Sequence, residues 1–121
     1  MARILLIDDD EDMMRISANW LKKTGYETAV ASSGEAALDA LKEETPDLIL
    51  LDYAMPGLDG PEIYKRIRSD ERTKGIPVLF RTGMEDGTID GIMEELKPQG
   101  VVPKSEGKKA LLGAVSEILG A

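Results

Sequence analysis

The chain has 121 residues, 42% of them apolar and only 4% aromatic, enough for one domain with an aliphatic core. Its net charge of -8 argues against direct binding of nucleic acid or an anionic membrane surface, since both want a basic patch. Cysteine and histidine are both absent, which excludes disulfides, thiolate metal sites, most zinc sites and Ser-His or Cys-His catalysis. Chemistry is left to carboxylates, Lys/Arg, hydroxyls and backbone amides.

In chain order, short apolar runs alternate with helical patterns. Ile4–Ile7 reads as a buried strand and ends on Asp8-Asp9-Asp10-Glu11. Met13, Ile16 and Trp20 then form an i, i+3, i+7 stripe, taken as the core face of a first helix. Glu27–Val30 reads as a second strand, followed by a capping-box signal, Ser32-x-x-Glu35, and a helix carrying Ala37, Leu38 and Leu41. Leu48–Leu51 is a third strand that stops on Asp52, and Pro61 opens a helix with Ile63 and Ile67. Asp59 and Gly60 read as the turn and cap of that helix.

Pro77–Phe80 is a fourth strand, ending before Thr82-Gly83. The stretch MEDGTIDGIMEELKPQG predicts a short or mobile fourth helix, because Gly87 and Gly91 each cost up to about 1 kcal/mol relative to alanine. Val101–Val102 is a fifth strand leading to Lys104, and Leu111, Leu112, Val115, Ile118 and Leu119 mark the last helix. No segment reaches about 18 consecutive apolar residues, and the N-terminus is too short for a signal peptide, so a cytoplasmic location is the default.

Strands alternating with helices predict an α/β sandwich around a parallel sheet, with ligands bound beyond the carboxyl ends of the strands. Asp8, Asp9, Asp52, Thr82, Gly83 and Lys104 all fall at that edge. If the first and third strands are neighbours, the three acids crowd together and raise one another's pKa unless a cation intervenes. An all-oxygen site predicts Mg²⁺. Lys104 offers a point charge for a phosphate and Thr82 a hydroxyl donor. Together these are the parts for phosphoryl transfer onto an aspartate.

The blocks ILLIDDD, LILLDYAMPGLDG, PVLFRTG and VVPKS, in this order and spacing over essentially the whole chain, resemble the receiver domain of bacterial two-component response regulators. The resemblance implies a flavodoxin-like, doubly wound five-stranded sheet in the order 2-1-3-4-5 with five helices. It implies that Asp52 accepts a phosphoryl group from a phosphohistidine on a sensor histidine kinase or histidine phosphotransfer protein. Asp9, Asp52 and the Ala54 carbonyl would bind Mg²⁺ directly and Asp8 through water. Thr82, the Gly83 amide, Lys104 and the Ala54 loop would hold the phosphoryl group. Such a protein is not an enzyme in the ordinary sense, since it catalyses only its own phosphorylation and dephosphorylation. Its output would pass through helix four, strand five and helix five to a protein target, with a homodimer through the same face as one form.

Three positions depart from the family pattern. Ser105 rather than proline follows Lys104, and Pro103 precedes it. Val101 stands where an aromatic switch residue is common. Arg81 replaces an apolar residue and is expected to pair with Glu85, Asp86 or another nearby acid. Ala54 and Met84 carry no polar group to position a hydrolytic water, which predicts a long-lived aspartyl phosphate. Two other functions stay open: a degenerate receiver that binds partners without phosphorylation, and a metal-dependent phosphatase of the haloacid-dehalogenase type. The latter wants Asp-x-Asp-x-Thr, whereas Asp8-x-Asp10 is followed by Asp12. A nucleotide-binding flavodoxin relative fits poorly, because the first loop is acidic and lacks a glycine-rich cradle. The chain ends at Ala121, one helix beyond Lys104. It is therefore expected to be a receiver of residues 1–121 without an output domain, stand-alone or cut from a longer protein.

Overall fold

The structure, a computed structural model, describes residues 2–55, 57–83 and 86–120, and for residues 86–89 the backbone alone. Five parallel strands, β1 (Arg3–Ile7), β2 (Glu27–Ala31), β3 (Leu48–Asp52), β4 (Val78–Thr82) and β5 (Gly100–Pro103), form one sheet in the order β2-β1-β3-β4-β5. The connecting helices are α1 (Glu11–Thr24), α2 (Gly34–Glu43), α3 (Gly60–Ser69), α4 (Asp86–Leu96) and α5 (Gly107–Leu119). This is the expected doubly wound, three-layer architecture. No helix among the described residues is long and apolar enough to cross a membrane.

The layers follow from strand alternation. Leu5, Ile7, Ile49, Leu51, Val78 and Phe80 pack toward α2, α3 and α4, with Ala37, Leu41, Ile63, Ile67 and Ile92. Ile4, Leu6, Leu48, Leu50 and Leu79 face the other way, onto Met14, Ala18 and Leu21 of α1 and Leu111 and Val115 of α5. Every residue of β3 and β4 is buried, which is why β3 reads as an unbroken apolar run up to Asp52 and β4 as one up to Arg81.

Three sequence expectations need correction. The buried face of α1 is Met14, Ser17, Ala18 and Leu21, not the stripe Met13, Ile16 and Trp20. Ile16 is 45% exposed, and Trp20 only packs against the edge of the core. The cap of α2 is Ser33 rather than Ser32: the Ser33 Oγ accepts from the Ala36 N–H at 3.1 Å. Helix α4, expected to be short, spans 11 residues against 10 for α2 and for α3. Burial of Ile92 against the sheet offsets what its glycines cost. Asp59 caps α3 as expected, its Oδ1 accepting from the Glu62 N–H at 3.1 Å, with Pro61 in the first turn.

Candidate functional site

The site sits at the carboxyl edge of the three central strands. β1 pairs with β3, with Ile7 opposite Leu51, so the residues that follow them, Asp8 and Asp52, emerge side by side. Asp8, Asp9 and Asp52 each place a carboxylate oxygen within 4.8 Å of the other two. Asp8 and Asp52 are buried, whereas Asp9 is exposed at the mouth. Thr82 closes β4 and is buried, and Gly83 follows it at the surface. Ala54 lies exposed in the loop after β3. Met84, Glu85 and Pro56 lie outside the described residues.

Lys104 arrives from β5. Thr82 is in register with Pro103, so the next residue projects just past the end of β4. Pro103 is extended (φ -62°, ψ 135°) and Lys104 starts a single 3₁₀ turn, Lys104–Glu106. A proline before the lysine instead of after it thus still delivers the ammonium. Its Nζ lies 3.2 Å from Asp8 Oδ2 and 3.2 Å from Asp52 Oδ1.

One lysine does not balance this cluster. Burial, with Asp8 alongside, pushes the Asp52 carboxyl up to about 7 from 3.8, and the opposing pull of Lys104 only limits the rise. The Asp8 carboxylate is held by the Asp10 N–H on Oδ1 at 2.9 Å, while Oδ2 accepts no hydrogen bond. Its 3.2 Å approach to Lys104 is an ion pair without hydrogen-bond alignment. Crowded carboxylates, a raised pKa and a bare buried oxygen are what a divalent cation with oxygen preference would relieve, and the donor set suits Mg²⁺.

Asp10 has a different task. Its Oδ1 accepts from the Met13 N–H at 3.1 Å and caps α1, with Glu11 and Asp12 in the acidic first turn.

Two residues noted in the sequence have surroundings that it did not foretell. Gly60 packs against the backbone of the site loop, where an added Cβ would lie 2.5 Å from the Asp52 carbonyl oxygen and 2.8 Å from Tyr53 Cα. Its N–H donates to the Tyr53 carbonyl at 3.2 Å, which ties the start of α3 to the residue after Asp52. The second is Arg81. Alternation along β4 turns it to the α1 side, beside Asp52, its register partner in β3. It is buried, and its Nη1 donates to the Ser17 Oγ at 2.8 Å. Glu85 and the Asp86 side chain, its expected partners, lie outside the described residues. Burial lowers the Arg81 pKa, while Asp8 and Asp52 act in the opposite sense and favour its charge. Strand parity alone would have placed this arginine with the acids.

The chain is similar to known proteins in sequence and in fold. The response regulator receiver domain family matches residues 4–116. The DNA-binding response regulator MtrA of Mycolicibacterium paratuberculosis is 35% identical over 112 residues, 84% of this chain and 48% of its own length. The phosphate regulon transcriptional regulatory protein PhoB of Pseudomonas aeruginosa is 32% identical over 118 residues, covering 96% of this chain and 51% of that protein. The chain thus spans about half the length of these curated relatives. In structure it superposes on the chemotaxis protein CheY4 of Vibrio cholerae with a TM-score of 0.89 over 98% of both chains, at 25% identity. With the family match covering nearly the whole chain and the sheet order agreeing, the protein belongs to the response regulator receiver domains.

Proposed function

We propose that Asp52 is the phosphoacceptor of a two-component relay. The observation that carries this reading is the placement of Asp52 on the last residue of a central strand, buried against Asp8 and within 3.2 Å of Lys104. An Asp52 carboxylate oxygen forms the new O–P bond as the P–N bond to a donor phosphohistidine breaks, and the departing imidazole takes up a proton. The donor would be a sensor histidine kinase or histidine phosphotransfer protein.

Asp8, Asp9, Asp52 and the Ala54 carbonyl would hold Mg²⁺, which would neutralise the clustered acids and the incoming phosphoryl charge. Lys104 already touches both buried acids, so it can follow the phosphoryl oxygen with a small displacement. The Thr82 hydroxyl and the Gly83 N–H stand at the end of β4, one strand from Asp52, where they can donate to the remaining oxygens. Ala54 brings only a methyl group, so no side chain there orients a water for hydrolysis.

Occupancy of Asp52 would bias the face formed by α4, β5 and α5 through Lys104, which joins the site to β5. The reader of that face would be a protein, and a second copy of the chain is one form it can take. The dehalogenase-type phosphatase reading loses support, because Asp10 spends its carboxylate on capping α1.

The test is intact mass after incubation with Mg²⁺ and acetyl phosphate, beside Asp52→Asn. The expected result is a gain of about 80 Da, one phosphoryl group, that requires Mg²⁺ and is missing in the variant. An unmodified wild-type mass would overturn the reading.

A further inference from the structure

Arg81 and Ser17 are each out of place alone, and each accounts for the other. Ser17 is 0% exposed within the apolar face that α1 turns to the sheet, and Arg81 is 4% exposed in β4. They lie 64 residues apart and meet through Nη1 and Oγ at 2.8 Å. Nη2 reaches the Met13 sulfur at 4.0 Å, one turn earlier on α1. Nε is buried without a hydrogen-bond partner, and Arg81 makes no ion pair among the described residues. A guanidinium is thus anchored by a neutral hydroxyl rather than by a carboxylate, although acids stand next to it. Strand parity carries Asp52 and Arg81 to the same face of the sheet as Leu50 and Leu79, and Asp8 continues the row of Ile4 and Leu6.

An arginine in direct contact with Asp8 or Asp52 would occupy the oxygens that bind a cation. One held back by Ser17 leaves those oxygens open while still imposing its charge on them, because a buried charge is poorly screened. Building on the metal-site reading above, we propose that Arg81 is a fixed counter-charge beneath the acidic pocket. As a positioning residue anchored by Ser17, it weakens divalent-cation binding there without touching the ion. The pocket would therefore fill with Mg²⁺ only at higher concentrations than its carboxylates alone would require.

The test is calorimetric titration of the whole chain with Mg²⁺ alone, on wild type, Arg81→Met and Arg81→Lys. Removing the charge is expected to tighten Mg²⁺ binding by at least about 10-fold, a lower bound for one unit charge acting on a nearby divalent ion at an effective dielectric of about 20. Arg81→Lys should stay within about 2-fold of wild type, because it keeps the charge. A merely structural role would lower the melting temperature of Arg81→Met and leave its Mg²⁺ affinity equal or weaker, and that result overturns the proposal. Should Arg81→Met fail to fold, Arg81→Gln carries the same test and keeps an amide donor for Ser17. Failure of the phosphoacceptor reading looks different: wild type would bind Mg²⁺ yet gain no phosphoryl mass, with the difference between the variants intact. Absence of Mg²⁺ binding in wild type and variants alike would overturn this proposal together with the metal site.

Discussion

The two ends of the sheet solve the same problem, charged groups beside a packed core, in opposite ways. At the amino end Arg68 is satisfied on every side. It donates to the carbonyls of Lys74 at 3.2 Å and Ile76 at 2.7 Å and to Gln99 Oε1 at 2.9 Å, and lies 4.7 Å from the centre of the Tyr64 ring. Gln99 in turn accepts from the Val78 N–H at 2.7 Å, where β4 begins. At the carboxyl end Lys104 serves two buried acids at once, while Asp8 Oδ2 and Arg81 Nε have no hydrogen-bond partner. One end pairs its polar groups within the chain, and the other leaves two buried polar atoms without a hydrogen-bond partner.

Variants at each end separate these two arrangements. Arg68→Ala is expected to cost about 3 kcal/mol of folding stability, since it strips four hydrogen bonds, two of them partly buried. Urea unfolding measures this loss, and phosphoryl uptake from acetyl phosphate under native conditions should stay at the wild-type rate. A slower uptake would mean that the two ends are coupled. At the other end, Lys104→Met should cost about 2 kcal/mol in the metal-free protein, because two buried carboxylates lose their shared cation. Added Mg²⁺ should recover most of that loss, whereas it should not restore Arg68→Ala. Urea midpoints with and without Mg²⁺ decide the point.

A third contrast is in pH dependence. Without metal, Asp52 keeps its proton in the folded state up to about pH 7, while the unfolded chain releases it near 3.8. The folded state therefore binds more protons across that window, and the stability from this group is complete below about pH 4 and lost as pH rises toward 7. Midpoints of metal-free wild type, compared with Asp52→Asn between pH 4.5 and 7, should show the wild type falling relative to the variant. Parallel profiles would mean that Lys104 balances the pocket after all.

What the sequence disclosed and what it withheld divide along the same physical line. β1, β3 and β4 were legible because strands buried on both faces must be apolar throughout, and an acid or threonine at the end of such a run is conspicuous. Asp8, Asp9, Asp52, Thr82 and Lys104 could therefore be gathered at one edge from the sequence alone. The face of α1 was not legible, because a window centred on Met13, Ile16 and Trp20 contains no sign that Ser17 will be buried. That burial depends on Arg81, 64 residues away. Ser32 and Ser33 offered two caps one residue apart, and only the backbone decides between them. The place of Gly60 was withheld for the same reason, since its neighbour is backbone and leaves no trace in residue type.

The approach of Gly60 to the Asp52 carbonyl has a further meaning, one of length rather than chemistry. The seven residues from 53 to 59 leave the end of β3 and must return to touch it, so the loop is closed on itself and works as a ruler. An added residue would have to bulge outward at Gly57, whose φ of 75° already marks the turn, or lift α3 off the sheet. The spacing from Asp52 to Gly60 is therefore a constraint in its own right. The number of residues between them cannot change without shifting the carbonyl of Ala54 relative to the acids.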